Sequence, residues 1–176
     1  MKKRVIFAAL AATLVLGLTA CGGTGATLAE LPTDKTMELK AVEKTGLAGM
    51  CEYLEGNGVI AGDHVEMKAD IIGAKEGRKY GFQFDGDTVI VELYEFDPDN
   101  LDETGKETLQ HIRENGSFIV MEQEVPAKIS ADGKYIMTNS DTKTDERHAA
   151  ETQKLERLFE EYAAKDATAK TTTKAK

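Results

Sequence analysis

The clearest pattern of hydrophobic and polar positions lies in the middle of the chain, where the period is two. In residues 79–84, aromatic side chains alternate with smaller or polar ones, which is the spacing of a half-buried strand. Residues 88–96, TVIVELYEF, are the most β-prone run, and both of their alternating faces are largely apolar. Asp85-Gly86-Asp87 between the two runs is typical of a hairpin turn. The pattern predicts a hairpin whose second strand is central, with helices on at least one side.

A third strand and a second hairpin are predicted beyond residue 116. Residues 117–122, SFIVME, carry the third strand, and Asp132-Gly133 is a hairpin turn signal between residues 127–130 and 134–139. Pro126 cannot donate a ladder hydrogen bond, so residues 123–126 are expected to form a bulge, an edge or a loop. The sheet is therefore expected to consist mainly of two antiparallel hairpins.

Two helices are predicted before the first hairpin. Thr45 is expected to cap a helix over residues 46–55, because the apolar positions of that segment fall at i, i+3, i+4 and i+7. A shorter helix is expected over residues 65–72, since Val65, Ala69 and Ile72 would share one face. A following glycine is a typical helix stop.

Two further helices are predicted after the first hairpin. Asn100 followed by Glu103 is a plausible cap pair for the first of them. Gly105 inside it costs about 1 kcal/mol relative to alanine and indicates a close contact or a frayed first turn. Thr144 is expected to cap the longest helix. The apolar stripe of that helix repeats at helical spacing in Leu155, Leu158, Phe159 and Tyr162.

The N-terminal 21 residues follow a different pattern, with three cations, an apolar run and a small-residue end. This layout is typical of a secretory signal, and the run is shorter than the about 20 apolar residues of a membrane span. The segment 18–21, Leu-Thr-Ala-Cys, resembles the lipobox of bacterial lipoprotein signals. That resemblance implies cleavage after residue 20, thioether lipidation of Cys21 and acylation of the new N-terminus. The alternative is an ordinary signal peptide with an unmodified Cys21.

These elements predict an α+β fold: a mostly antiparallel four-stranded sheet of two hairpins, with helices packed on one face. Residues 1–20 are the expected signal peptide, and residues 21–44 a lipidated tether and a poorly defined lead-in, whose last ten residues fit either a helix or a strand. A single domain is expected over residues 45–164. Residues 165–176, KDATAKTTTKAK, are poor in apolar side chains and predict a disordered tail.

The charge of the chain restricts its partners. The formal net charge is −9, from 22 basic and 31 acidic side chains, and removal of residues 1–20 takes away three cations and leaves −12. Such a surface repels nucleic acid and anionic lipid headgroups, so no nucleic-acid partner is expected. Binding to the outer face of the cytoplasmic membrane would then depend on the lipid of Cys21, because two or three acyl chains anchor stably. With Cys21 lipidated, Cys51 has no disulfide partner.

Candidate chemistry is sparse. The sequence contains no Gly-x-Ser-x-Gly elbow, P-loop or dinucleotide fingerprint, so no cofactor and no catalytic residue are predicted. Glu92 is the exception among the acidic residues, since it lies on an otherwise apolar face of the predicted central strand, beside Tyr94. A buried Glu92 would need a partner. We therefore take Glu92 and Tyr94 as speculative binding residues, and a paired or edge-facing structural Glu92 is the alternative.

Three other features have plainer interpretations. Cys51 lies on the apolar stripe of its helix and is expected to be a small buried hydrophobe rather than a reactive thiol. Glu107 and His111, at i and i+4, could hold a weak surface metal, but an exposed charged helix face explains them as well. The acidic run 97–103 fails the EF-hand pattern and fits helix capping better. No metal site is predicted.

The segment 71–97, IIGAKEGRKYGFQFDGDTVIVELYEFD, is similar to a segment of small lipoproteins of Gram-positive bacteria. In these, a helix ending in Ile-Gly-Ala precedes a short strand, a turn and a Val-Glu-x-Tyr-x-Phe-Asp strand. Val125-Pro126-Ala127 before a glycine turn also fits. The resemblance covers about residues 45–162 and implies a fold and a location, and it carries over no catalytic or binding residue.

The expected function is a non-enzymatic binding or interaction module anchored at the membrane, with an envelope protein or a small ligand as its partner. A sheet face left uncovered by helices would be the natural contact surface. One alternative is an enzyme or accessory of envelope metabolism, with Glu92 in a deep pocket. Another is a self-protection lipoprotein that sequesters a toxin or an envelope enzyme.

Overall fold

The computed structural model describes residues 27–32 and 44–174, so the predicted leader, Cys21 and most of the predicted lead-in lie outside the described residues. The helices are α1 (Gly46–Gly56), a short 3-10 helix (Ala69–Ile72), α2 (Glu103–Asn115) and α3 (Glu146–Lys174). The strands are β1 (Ala29–Glu30), β2 (His64–Glu66), β3 (Glu76–Phe84), β4 (Asp87–Glu95), β5 (Ser117–Val120), β6 (Gln123–Pro126), β7 (Lys128–Ile129) and β8 (Tyr135–Asp141).

The α+β class is confirmed, but the main sheet is larger than expected and mixed. Its order is β1-β3-β4-β8-β7, with β2 also paired to β3. All pairs are antiparallel except β1 with β3, which is parallel. β5 and β6 form a separate two-stranded sheet. The extra strands β1 and β2 have two and three residues, too few for an alternating pattern to appear in the sequence.

Both predicted hairpins are confirmed. β3 and β4 pair along nine residues each, and Asp85 and Gly86 between them have φ values of 52° and 83°. Two left-handed residues in a two-residue loop match the right-handed twist of the strands, which explains the Asp-Gly sequence. β7 and β8 are joined through a turn that the Gly133 N–H closes onto the Ser130 carbonyl at 2.9 Å.

Helices pack on both faces of the main sheet, and the expectation of helices on one face only is wrong. One core lies under α1 and α3 and includes Leu47, Leu54, Tyr80, Val91, Leu93, Phe159 and Tyr162. The opposite core lies under α2, the 3-10 helix and the β5–β6 hairpin and includes Ile72, Tyr94, Phe96, Leu109, Ile112, Phe118 and Ile136. β4 supplies alternate residues to both cores, which is why both of its faces are apolar.

The helix predicted over residues 65–72 is wrong in its first half. Val65 lies in β2, pairs with Lys79 of β3 and is 64% exposed, whereas Ala69 and Ile72 are buried in the 3-10 helix. Backbone pairing to β3 decides the conformation of β2, and this pairing leaves no periodic signal in the sequence. The predicted stop at Gly73 is confirmed by its left-handed φ of 72°.

The caps of α2 and α3 lie near the predicted positions but on other residues. Asp102, not Asn100, accepts the Gly105 N–H at 2.7 Å. At the start of α3, Asp145 rather than Thr144 accepts two backbone N–H groups of the first turn, at 3.0 and 3.2 Å. In each helix the acceptor is the aspartate that directly precedes the first helical residue, where a short carboxylate reaches the free N–H groups.

Gly105 makes the close contact that its position indicated. A Cβ at Gly105 would lie 2.9 Å from the carbonyl oxygen of Gly73, and a Cβ at Gly73 would lie 2.2 Å from the Gly105 nitrogen. The first turn of α2 therefore packs directly on the end of the 3-10 helix, backbone against backbone. Glycine is required at this contact because no side chain fits between the two segments.

The predicted disordered tail is wrong in the described part of the chain. Residues 165–174 continue α3, which has 29 residues. Asp166, inside the predicted tail, is only 5% exposed. Its side chain lies among charged and hydroxyl groups of the sheet, a long-range contact that the composition of the segment does not reveal.

Candidate functional site

Glu92 and Tyr94 lie together, as the sequence suggested. The Tyr94 hydroxyl donates to Glu92 Oε2 at 3.0 Å, Lys79 Nζ lies 3.4 Å from Glu92 Oε1, and the Thr138 hydroxyl lies 3.5 Å from Oε2. The Glu92 side chain is 18% exposed. Tyr94 is buried, and its ring meets Phe118 edge-on at 6.3 Å. Glu92 is thus a partnered carboxylate at the margin of a core.

The Tyr94 hydroxyl serves as a hydrogen-bond donor in this pair. Burial raises the pKa of Tyr94, and the neighbouring Glu92 carboxylate raises it further. The phenol is therefore protonated throughout the physiological pH range. Such a neutral donor fixes the position of the partly exposed Glu92 carboxylate on the strand. The oxygens of Glu92 are contacted by Tyr94, Lys79 and Thr138.

The face of the sheet that carries Glu92 is only half covered. Tyr94 and Ile136 lie under the second core, whereas the residues toward the β3–β4 turn are exposed or half-buried. We call this uncovered half the open face. It is formed by Val65, Lys79, Gly81, Gln83, Thr88, Ile90, Glu92 and Ser140, which the pairing register places on one side of β2, β3, β4 and β8.

A cluster of buried charges lies at the other end of the sheet. Lys134 Nζ contacts the carboxylate of Asp166 and the hydroxyl of Tyr135, and it lies 3.4 Å from Glu95 Oε1. The Tyr135 hydroxyl also donates to Asp166 at 2.9 Å. The side chains of Lys134, Glu95 and Asp166 are 5%, 7% and 3% exposed. We call these four residues the end cluster.

The end cluster also caps α1. Thr45 makes no side-chain cap, contrary to expectation. Instead, the Leu47 N–H donates to Glu95 Oε2 at 2.6 Å, and the Gly46 N–H lies 3.5 Å from Asp166 Oδ1. Two carboxylates at a helix N-terminus compensate its free N–H groups and its dipole. The caps come from β4 and α3, so α1 is held in place by residues distant in sequence.

A second contact joins α3 to the first turn of α1. The Tyr162 hydroxyl donates to the Gly46 carbonyl oxygen at 3.0 Å. A Cβ at Gly49 would lie 2.3 Å from that hydroxyl, so glycine is required for the approach. The ring of Tyr162 also lies 6.1 Å from the Tyr135 ring, at an angle of 67°. The end cluster and Tyr162 together fix the C-terminal half of α3 to the sheet.

The ionisation of the end cluster follows from its contacts. Burial by itself would raise the pKa of Asp166, but the hydrogen bonds from Lys134 and Tyr135 outweigh burial and hold this pKa below its usual value. Burial and the hydrogen bond to Asp166 both raise the pKa of Tyr135. The tyrosine is therefore neutral and Asp166 is ionised at neutral pH.

Sequence reasoning selected Glu92 and missed the end cluster. A signal for Glu95 was present, because it follows Leu93 at i+2 on the face of β4 that packs under α1 and α3. An acidic residue on such a face needs a buried partner. Lys134 and Asp166 carried no comparable signal, since one lies beside a turn and the other in the segment predicted to be disordered.

The described grooves do not reach the end cluster. One groove of about 460 Å³ lies between the β7–β8 turn and α3, and is lined by Ile129, Ala131, Asp132, Glu160, Ala163, Ala164 and Ala167. A second, of about 350 Å³, adjoins Lys128, Met137 and Thr152. Neither groove is lined by Glu95, Lys134 or Asp166.

His111 and His148 have partners within the fold, and Cys51 is buried. His111 Nδ1 lies 2.8 Å from the Ser117 carbonyl oxygen, and the buried His148 lies 2.7 Å from Asp141 through Nδ1. Burial raises the pKa of the Cys51 thiol, which keeps it protonated and unreactive. Within residues 27–32 and 44–174, no group of three His, Cys, Asp or Glu side chains is placed to hold a metal ion.

Comparison with protein-family models, curated proteins and solved structures finds no match to this chain. Among the described helices, none combines the length and the apolar character needed to cross a membrane. The functional interpretation therefore depends on the residues and geometry given above.

Proposed function

We propose that this chain is a lipid-anchored extracytoplasmic protein whose folded domain is a non-enzymatic binding module, with the open face as its contact surface. The observation that carries the proposal is the exposure of half of one sheet face, with Val65 and Ile90 among polar side chains. A flat surface of this kind suits a protein partner better than a small ligand, which usually occupies a concave site.

The first strand begins only a few residues after the proposed anchor in the sequence. Ala29 and Glu30 pair with β3, and the next residue, Leu31, is buried in the first core and donates to the Gln83 carbonyl at 2.7 Å. The proposed tether between Cys21 and Ala29 then consists of the seven residues 22–28, fewer than the tether and lead-in over residues 21–44 that the sequence suggested. With eight Cα–Cα steps of at most about 3.6 Å each, it spans at most about 29 Å.

An envelope enzyme is the second candidate, and the geometry favours it less. An enzyme of this kind would need a catalytic carboxylate that a substrate can reach. Glu92 is occupied by three partners, and the grooves described above are not lined by it. Glu92→Gln tests this alternative directly: loss of an envelope reaction, with the fold intact by circular dichroism, would favour the enzyme.

The anchor is tested by Cys21→Ala in the full chain. We expect the variant to leave the membrane fraction or to remain unprocessed, while metabolic labelling with a palmitate analogue is lost. A Cys21→Ala protein that is still cleaved and firmly membrane-bound would contradict the anchor.

The contact surface is tested by a photo-crosslinking amino acid at Thr88 on the open face. Ile71, which is 52% exposed on the 3-10 helix, is the matched control position. We expect one envelope protein to crosslink at Thr88 and not at Ile71, and a Val65→Glu substitution to remove the product. Identical products at both positions, or no product at Thr88, would overturn the proposed surface.

A further inference from the structure

The β5–β6 hairpin is an appendage with one buried and one exposed face. Its inner face packs Phe118, Val120 and Val125 against the second core. On the outer face, Ile119 lies opposite Glu124 and is 59% exposed. Within the described residues these strands pair only with each other. Apart from the buried Ser117, the outer face is exposed, and the second core lies beneath the inner face.

The tip of this hairpin is built from residues that its geometry disfavours. Val120 pairs with Gln123, so Met121 and Glu122 form a two-residue loop, with φ values of 49° and 65°. Both positions require the left-handed region, where Asn-Gly is the favourable sequence and a side chain is strained. The same chain uses Asp-Gly in its other two-residue hairpin, at 85 and 86.

The strained loop exposes its apolar side chain almost completely. Met121 is 86% exposed, the highest value among the exposed large hydrophobic residues of the described chain. Met is unbranched and polarisable, which suits it to filling an irregular apolar pocket. Strain retained at an exposed tip that does not pack on the core indicates that the side chains themselves are used.

The charge of the hairpin restricts the partner. Residues 117–126 contain two acidic side chains, Glu122 and Glu124, and no basic one. The Ser117 hydroxyl donates to Glu124 at 2.6 Å, which fixes this carboxylate beside Ile119. A net charge of −12 after removal of residues 1–20 disfavours both a second copy of this acidic chain and an anionic bilayer. A cationic protein surface is the complementary partner.

We propose that the β5–β6 hairpin is a recognition finger whose Met121 and Ile119 enter an apolar pocket on an envelope protein. The rim of that pocket carries Lys or Arg side chains that face Glu122 and Glu124. The inference shares with the proposed function the idea of a binding module, but it concerns a different surface. The two therefore fail independently.

The test uses the full chain in its native membranes, with the photo-crosslinking amino acid at position 121 and, as controls, at Ile71 and at Thr88 of the open face. The protein crosslinked at 121 is identified by mass spectrometry, purified and titrated against variants of the full chain in detergent. The central variant is Met121→Asn with Glu122→Gly, which supplies the favoured turn and removes both tip side chains.

We expect this double variant to unfold at a higher temperature than the wild type and to bind the partner at least tenfold more weakly. Ile119→Thr should also weaken binding about tenfold, whereas Ile71→Thr should leave the affinity within twofold. Glu122→Gln should reduce the salt dependence of association, because rim charges act mainly through long-range steering. If the double variant does not fold, Met121→Ser, which keeps Glu122, replaces it in the titration and should also weaken binding.

Several results would overturn the inference. Crosslinking at 121 only to lipid would point to a membrane contact, and crosslinking only to this chain would point to self-association. A partner that binds the Met121→Asn, Glu122→Gly variant with wild-type affinity would equally contradict it. Products at Thr88 with none at 121 would refute the finger and leave the proposed open-face contact standing, and the reverse pattern would refute the open face alone.

Discussion

Replacement of Lys134 by methionine is the sharpest test of how the fold is held together. Lys134 is the cation that contacts both Asp166 and Glu95, and all three side chains are at most 7% exposed. Methionine has a similar length and fills the space without charge. The substitution therefore leaves two buried carboxylates at the N-terminus of α1 with fewer compensating partners.

The expected loss of stability can be bounded from the remaining contacts. Removing one partner of a buried ion pair costs about 3–5 kcal/mol, because the other charge stays buried. Asp166 keeps the Tyr135 hydroxyl at 2.9 Å, and Glu95 keeps Lys75 at 3.7 Å and the Leu47 N–H. These contacts place the expected loss at the lower end, about 3 kcal/mol, which is a large part of the about 5–15 kcal/mol of a typical domain.

The assay is urea unfolding of the chain without residues 1–20, monitored by circular dichroism. With a slope of about 2 kcal/mol per molar urea, the midpoint should fall by about 1.5 M without a change in slope. Asp166→Asn and the double variant with Lys134→Met complete a double-mutant cycle. We expect the loss of stability in the double variant to be about 1–3 kcal/mol smaller than the sum of the two single losses, because the two side chains interact directly.

The pH dependence supplies a second readout. The folded pKa of Asp166 is depressed, so the stability that Asp166 contributes is present above its unfolded pKa and is lost as pH falls through the folded pKa. Without Lys134, one cause of the low pKa of Asp166 is gone while burial, which raises this pKa, remains. Protonation of Asp166 at lower pH therefore removes part of the unfavourable buried charge in the variant. The difference between wild type and Lys134→Met should therefore shrink as pH falls from 7 toward 4. A loss below about 1 kcal/mol, or a pH-independent loss, would refute a buried ionic cluster.

Three further predictions test other parts of the structure. A chain ending at residue 164 should be about 2–4 kcal/mol less stable than one ending at 168, since only the longer chain retains Asp166. Equal urea midpoints would instead support the prediction of a disordered tail. Gly105→Ala should lower stability by about 1–3 kcal/mol despite its better helix propensity, whereas Gly56→Ala, with no atom within 4 Å of its Cβ, should not. Cys51 should react with a thiol reagent only as fast as the domain opens, and burst labelling of the folded protein would contradict its burial.

The central part of the fold could be predicted because its signals are local. The alternation of residues 88–96 and the Asp-Gly turn identified β4 and its hairpin with β3, and the structure confirms both. The helical stripe around Cys51 identified α1, and that of Leu155 to Tyr162 identified α3. Side-chain period and turn chemistry act between residues close in sequence, so a single sequence displays them.

The incorrect predictions share a dependence on distant partners. β2 is a strand because β3 offers it an edge, and residues 165–174 are helical where Asp166 meets Lys134 and Tyr135. The α1 cap comes from Glu95 and not from the adjacent Thr45. In each case a contact between residues far apart in sequence outweighs local propensity, which is worth only fractions of a kcal/mol per residue.

The candidate site divides in the same way. By itself, the sequence determined the α+β class and the central strand with two apolar faces. It also placed Glu92 and Tyr94 on the same face of that strand, and it predicts the lipid anchor at Cys21. Only the tertiary structure decided that helices cover both faces, which half of the second face remains open, and that Glu95 is the carboxylate buried with a lysine. The physical reason is that burial is a property of packed layers: a residue's neighbours in sequence set the direction of its side chain, and the elements that pack across it decide whether water, a charge or a partner meets it.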